Sequence, residues 1–322
     1  MKKEGRKVFM RIVILEGDSM GPDISWEAFR RFGDVTFYHA STDRELPEKL
    51  KDADIAIANK VHFNEETIGG LTKLKLVVLT ATGMDNLDRP YLESRGIAYR
   101  NAAGYSTHAV AQHTFALLFY LMEHLRYYDA YTKDGSYTSS PTFTHYGPAF
   151  NELYQKNWGI LGLGTIGRTV ADIASRFGCH VAFASTSGIR RKEAYPQTDL
   201  DTLLATSDIL SIHAPLNDTT RNIINYDALC KMKPSAYLIN VARGPIVNDA
   251  DLARALDEKR IAGAGLDVLT KEPMDPQNPL LFIKEKERLI VTPHIAWASV
   301  EARRRLMQMT EDSIEQFLRD HA

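Results

Sequence analysis

The chain has 322 residues, 44% of them hydrophobic, enough for roughly two packed domains. A net charge of −2 leaves no basic face for nucleic acid or an anionic membrane, and no apolar run approaches the roughly 20 residues of a membrane span. The only two cysteines, Cys179 and Cys230, lack C-x-x-C spacing, so neither a disulfide framework nor a metal site is expected, and the reducing cytoplasm is the simplest compartment.

The start, Met1-Lys2-Lys3-Glu4-Gly5-Arg6-Lys7, is basic but leads into a strand rather than a signal-peptide core; Met10 offers an alternative start. Strand-like runs follow at residues 11–15, 35–38, 55–58, 76–80 and 98–100, with helical segments between them at, for example, 45–51 and 88–94. Strands alternating with helices imply a parallel sheet. Residues 108–128 read as one long apolar helix. An aperiodic aromatic stretch follows at 131–150, with Gly135, Pro141, Gly147 and Pro148. It is long for a loop inside a compact domain and reads as an arm that docks elsewhere, and the helix with the arm (108–150) as a homodimer contact.

The strongest motif is Gly162-Leu163-Gly164-Thr165-Ile166-Gly167. It is preceded by the apolar run Trp158-Gly159-Ile160-Leu161 and followed by a helix at 168–176 and a strand at 180–184. Strand, glycine turn, helix and strand make a dinucleotide-binding βαβ unit. The glycines admit a pyrophosphate, and the helix N-terminus faces it with N–H groups and a partial positive charge. Further strands are expected at 209–212, 236–240, 263–266 and 289–292, and a last amphipathic helix at 300–318. The expected architecture is α/β, with two doubly wound parallel-sheet domains. A Rossmann nucleotide-binding domain takes residues 104–298. A flavodoxin-like substrate domain takes 1–103 with 299–322, and an interdomain cleft separates the two.

Ligands of open parallel sheets bind outside the carboxyl ends of the strands. In the second half those ends carry Ser185, then His213-Ala214-Pro215, then Arg243-Gly244, then Asp267 with Glu272-Pro273 soon after, then His294. Arg, Glu and His on the rim of a dinucleotide-binding sheet are a candidate reaction centre. Reducing a keto carbon needs a proton donor for the developing alkoxide, which suits His; a neighbouring carboxylate favours the protonated form. A guanidinium bridges the carboxylate and carbonyl oxygen of an α-keto acid. The expected roles are His294 as acid/base, Glu272 as its partner and Arg243 as substrate clamp. The plainer alternatives are a capping arginine, a backbone-bonded histidine and a solvated glutamate in a turn. His213 reads as a ribose or backbone neighbour, and His108 and His113, on the long helix, receive no chemistry.

Taken together, residues 162–167, the run Asn240-Val241-Ala242-Arg243-Gly244-Pro245-Ile246-Val247-Asn248, the run Gly263-Ala264-Gly265-Leu266-Asp267-Val268 with Glu272-Pro273, and Thr292-Pro293-His294-Ile295-Ala296 resemble the D-isomer-specific 2-hydroxyacid dehydrogenases over nearly the whole chain. The resemblance implies the Arg243, Glu272 and His294 roles above and a contact from Asp267 to the nicotinamide carboxamide. The turn Ala81-Thr82-Gly83-Met84-Asp85 is similar to the family's substrate-carboxylate loop, which works through backbone N–H groups. Substrate contacts are thus expected from Thr82, Gly83, Arg243 and Trp297. Cofactor contacts are expected from Gly162, Gly164, Thr165, Ile166 and Gly167; from Ser185, Thr186 and Arg190; from His213, Ala214 and Pro215; and from Val241, Ala242, Asp267 and His294. The run Ala296-Trp297-Ala298-Ser299 is most similar to glycerate dehydrogenases, also called hydroxypyruvate reductases.

One departure concerns the cofactor. NAD-preferring members carry an acidic residue at the end of the second strand. Here the chain reads Ala184-Ser185-Thr186-Ser187-Gly188, with Arg190 and Arg191 beyond. Hydroxyls and guanidiniums suit a 2′-phosphate, so the position leans to NADP over NAD. The expected function is reversible reduction of a small 2-keto acid, hydroxypyruvate or glyoxylate, to D-glycerate or glycolate. A nucleotide-sensing corepressor-like protein and a phosphoglycerate dehydrogenase are the alternatives; formate oxidation is disfavoured because it needs no His–Glu acid/base pair.

Overall fold

Runs of aliphatic residues with almost no polar interruption build the inner strands, Ile55–Ala58, Leu76–Leu79 and Ile209–Ile212 among them, as burial on both faces of a parallel sheet requires. The structure, a computed structural model, describes residues 9–189 and 192–321. It divides into two compact units, one taking the chain up to Ser106 and again from Ala298, the other spanning Thr107–Trp297.

In the first unit, β1 (Met10–Ile14), β2 (Gly33–Phe37), β3 (Ile55–Ala58), β4 (Leu76–Leu79) and β5 (Ala98–Arg100) form a parallel sheet in the order β2-β1-β3-β4-β5, the flavodoxin-like order. β3 and β4 are buried at every position. Three short helices accompany them: α1 (Leu46–Lys49), α2 (Glu65–Ile68) and α3 (Arg89–Ser94). α3 starts where Asp88 accepts the Tyr91 N–H at 3.1 Å, with Pro90 in the first turn, where its missing N–H costs nothing.

The second unit opens with α4 (Thr107–Met122) and α5 (Leu125–Lys133). The single helix expected over 108–128 is therefore two. Most of α4 is buried, whereas none of α5 is, so past Met122 no core contact rewards continuing in line. His124 turns the chain in the left-handed region, at φ 50°. The helix also takes in Tyr131, the expected first residue of the arm. Beyond it the stretch folds partly on itself: the His145 ring stacks on Tyr131 at 3.7 Å, and Tyr128 Oη donates to the Pro148 carbonyl at 2.8 Å. Phe143 and Tyr146 stay 91% and 90% exposed.

The remaining strands are β6 (Asn157–Leu161), β7 (His180–Ala184), β8 (Gln197–Thr198), β9 (Ile209–Ile212), β10 (Tyr237–Asn240), β11 (Gly263–Leu266) and β12 (Leu289–Val291). They form a parallel sheet ordered β12-β11-β10-β9-β6-β7-β8. The helices are α6 (Thr165–Arg176), α7 (Leu200–Thr206), α8 (Tyr226–Lys231) and α9 (Asp249–Asp257). Asp199, Asn225 and Asn248 cap the last three through side-chain oxygens. α6 begins at Thr165, inside the glycine fingerprint and three residues before the expected start, because no side chain is needed to turn the chain there. The chain then returns to the first unit as α10 (Val300–Asp320), capped by Ser299 and burying Leu306, Ile314 and Phe317. Cys179 is buried, its thiol pushed up to about 11 by burial, and Cys230 is exposed; both are free. Among the described residues, no helix is long and apolar enough to cross a membrane.

Gly162 makes the turn between β6 and α6 possible. Its φ is +94°, and a Cβ there would lie 2.7 Å from the backbone N and Cα of Ala214. Gly162→Ala is expected to destabilise the protein by about 2–4 kcal/mol, from the left-handed backbone and the clash together. Gly96→Ala, at φ +67° in open space, is the control and carries only the backbone penalty of about 1–2 kcal/mol. Urea unfolding of both variants checks this; equal losses would contradict it.

Candidate active site

The chain leaves β6 and runs out to β8 on one side, then returns beside β6 as β9 and continues to β12. The order of the sheet therefore reverses between β6 and β9, the place where open α/β sheets leave a crevice. Gly162 follows β6 and His213-Ala214-Pro215 follows β9, so both flank that point. The first intrahelical bond of α6 runs from Arg168 N–H to the Gly164 carbonyl at 2.9 Å, so the amides of Thr165, Ile166 and Gly167 precede it. Among the described residues no side chain caps this end, and a Cβ on Gly164 would meet nothing within 4 Å of them. Unused donors, a positive helix end and open space fit the pyrophosphate of a dinucleotide. Ser185 and Thr186 follow β7, and Ser185 Oγ accepts the Ser187 N–H at 3.3 Å. Arg190, like Arg191, lies outside the described residues.

His213 is set by the strand beside it. The buried Trp158 indole N–H donates to Ser211 Oγ at 2.9 Å, and Ser211 Oγ meets His213 Nε2 at 3.1 Å. Ser211 Oγ keeps both a proton and a second lone pair after accepting the indole N–H, so this contact serves either neutral tautomer of His213. Nδ1 is buried and has no partner among the described residues. Burial pushes the ring down to about 3, so it is neutral at ordinary pH.

The other end of the site is built from the ends of β10, β11 and β12. After β10, Asn240 shapes the turn: its Oδ1 accepts the Ala242 N–H at 3.1 Å and its Nδ2 donates to the Arg243 carbonyl at 3.0 Å. Val241 is buried, and Arg243 is half-buried, with one Nη donating to the Ala242 carbonyl at 2.9 Å. Gly244 has no room for a side chain, since a Cβ would sit 1.8 Å from the Leu269 carbonyl oxygen. That contact presses the Arg243 turn against the segment carrying Glu272. The Leu269 N–H donates to Glu272 Oε1 at 3.0 Å, and Glu272 Oε2 lies 2.7 Å from His294 Nδ1.

His294 itself sits at φ 57°, a left-handed conformation that is uncommon for a non-glycine residue and is constrained here by its neighbours. The constraint comes from Asp267, which is 1% exposed. Its carbonyl accepts the His294 N–H at 2.8 Å. Its Oδ1 accepts Thr292 Oγ1–H at 2.6 Å and the Ile295 N–H at 2.8 Å, and its Oδ2 accepts the Ala296 N–H at 2.8 Å. The donors to this carboxylate are thus the residues of the His294 loop.

The second unit brings Glu272 and His294 into contact and seats Arg243 and Asp267 in the adjoining turns. Trp297, half-buried, packs against the core beneath α4. Thr82 and Gly83 follow β4 in the first unit, where Thr82 Oγ1 donates to the Ala102 carbonyl at 3.0 Å. Sequence reasoning assigned nothing to His113 and Thr292. His113 Nε2 lies 2.9 Å from Thr292 Oγ1, a pairing across 179 residues that no local pattern announces.

A sheet with this reversal, a glycine-turned helix end and an imidazole–carboxylate pair on its rim define a nicotinamide-dependent oxidoreductase. The chain belongs to the D-isomer specific 2-hydroxyacid dehydrogenases: residues 115–296 match that family's NAD binding domain, and the family acts on CH–OH groups with NAD(P). A hydroxypyruvate reductase of Blautia hydrogenotrophica is 33% identical over 316 residues, 96% of this chain and 97% of that protein. A glycerate dehydrogenase of Methylorubrum extorquens is 34% identical over 313 residues, 96% of each chain. Among solved structures, an acyclic imino acid reductase in complex with NADPH and D-Arg has a TM-score of 0.85 at 32% identity, covering 97% of this chain and 98% of that one.

His213 makes stability depend on pH. Its folded-state value, about 3, lies below the ordinary 6.5, so between these the unfolded chain binds a proton that the folded chain refuses. The stability contributed by a neutral His213 is complete above about pH 6.5 and is lost as pH falls, by about 1 kcal/mol per unit. His213→Gln is expected to flatten this slope. Urea unfolding at pH 5.5 and 7.5 measures it, and identical slopes in the two proteins would remove His213 as the cause.

Proposed function

We propose that the chain reduces hydroxypyruvate or glyoxylate to D-glycerate or glycolate, reversibly, with His294 as the acid/base, Glu272 as its partner and Arg243 as the clamp. The observation that carries this is the 2.7 Å contact between His294 Nδ1 and Glu272 Oε2. With Nδ1 held by the carboxylate, Nε2 is the nitrogen left to give a proton to the substrate's carbonyl oxygen. Glu272, fixed by the Leu269 N–H, stabilises the imidazolium before transfer and orients the ring afterwards. The Arg243 guanidinium holds the substrate carboxylate and polarises the carbonyl. When bound, the nicotinamide supplies or takes up the hydride. The glycine turn and the first amides of α6 would hold the pyrophosphate, with Ser185 and Thr186 toward the ribose. The similarity to a hydroxypyruvate reductase and a glycerate dehydrogenase supports the substrate class. Thr82, Gly83 and Trp297 keep their place as substrate contacts on the family resemblance alone.

NADP is the proposed preference, because no carboxylate stands at 185–189 to repel a 2′-phosphate. The exposed aromatics of the arm suit a homodimer, and the free thiols suit the cytoplasm. Sedimentation at micromolar concentration checks the dimer; a monomer there would overturn it. Steady-state rates with hydroxypyruvate, glyoxylate, pyruvate and phosphohydroxypyruvate, each with NADH and NADPH, test the substrate and cofactor. A strong preference for pyruvate or phosphohydroxypyruvate, or for NADH, would overturn the corresponding half.

His294→Ala is expected to lower kcat by roughly 10²–10⁴ while cofactor affinity barely changes. Glu272→Gln, which keeps the shape and removes the charge, lowers kcat in the same direction and less severely. Arg243→Ala raises KM for the keto acid and also lowers kcat, because the clamp orients the carbonyl. Keto-acid reduction kinetics and cofactor fluorescence titration separate these effects. A fully active His294→Ala enzyme would remove His294 from the mechanism.

A further inference from the structure

We infer that His113 is a positioning residue for His294, acting through the Thr292 hydroxyl and the Asp267 carboxylate. The inference rests on the reading of His294 as proton donor. It begins with helix spacing. Leu117 on α4 lies directly over β11, its Cβ 3.0 Å from where a side chain on Gly265 would start. His113, one turn earlier on the same face, reaches the carboxyl end of the sheet, where Asp267 follows β11 and Thr292 follows β12.

The proton count fixes the direction of the bonds. Thr292 Oγ1 has one proton, and at 2.6 Å from Asp267 Oδ1 that proton goes to the carboxylate, which accepts only. At the 2.9 Å contact with Thr292, His113 Nε2 must therefore donate. Nε2 carries a proton in this neutral tautomer and in the cation alike. Burial lowers the His113 pKa, opposed by the Asp267 charge 3.5 Å away, yet the donor persists in either state.

The chain His113–Thr292–Asp267 thus ends on the carboxylate that holds two successive amides, those of Ile295 and Ala296, while the main-chain carbonyl of the same residue holds the His294 amide. Those bonds keep His294 in its left-handed conformation, and so aim its Nε2. The long buried helix α4 is the rigid frame to which the catalytic loop is tied. His113 touches none of the reacting atoms.

A double-mutant cycle with a rescue variant tests this. His113→Leu and Thr292→Val are each expected to lower kcat about tenfold with KM for the cofactor unchanged, and the double variant should be no worse than either single one. His113→Gln, whose amide nitrogen reaches the position of Nε2, should recover most of the turnover. In the cofactor-free protein, amide hydrogen exchange of a peptide covering residues 292–297 should be faster in His113→Leu and Thr292→Val than in wild type or His113→Gln. If His113→Leu does not fold, the Gln and Val variants still carry the comparison. Additive losses, a Gln variant no better than Leu, or unchanged exchange in the loop would each overturn the inference. His294→Ala is assayed alongside. If it retains turnover, the reading of His294 has failed; if it is inactive and the cycle is additive, only the role of His113 has failed.

Discussion

The buried carboxylate of Asp267 is the interaction on which the site depends. A carboxylate taken out of water must be surrounded by donors, and a buried one left unmatched is costly. Here the donors come from one short loop, two backbone amides and a hydroxyl. Satisfying the charge and shaping the His294 loop are therefore one event. Asp267 also ties the strand ends together, since its N–H donates to the Asn240 carbonyl at 2.9 Å, at the start of the Arg243 turn. The turns bearing Arg243 and His294 thus share one anchor.

The gathering of polar side chains on one rim follows from the sheet. In a parallel sheet covered on both faces, strand side chains are consumed by the core: β9, β11 and most of β6 and β10 are buried. Groups that must meet a ligand are left to the residues just past the strands, and parallel strands put all those ends on one edge. The reversal of strand order between β6 and β9 then opens space beside the glycine turn. The close contacts at Gly162 and Gly244 show the cost of this crowding, as backbone approaches backbone with no room for a Cβ.

Much of this was legible from local pattern. The aliphatic runs marked the strands because a buried parallel strand has no polar face to hide. The glycine spacing marked the β6–α6 turn because only glycine accepts φ +94° beside Ala214. Arg243, Glu272 and His294 stood out because each follows a strand end in the same half of the chain. The helix break at His124 was less legible. Its cause is the loss of a packing partner beyond Met122, which no helical spacing within residues 108–128 reports.

Fold class, the glycine turn and the residue types of the candidate site were legible in the chain itself, because each rests on short-range spacing and backbone conformation. Tertiary structure alone decided how those residues are held. That His294 is left-handed, that Asp267 spends its carboxylate on the His294 loop, and that His113 on α4 reaches Thr292 all depend on which strand lies next to which. Such contacts join residues far apart in the chain, and they exist only once the sheet has ordered its strands.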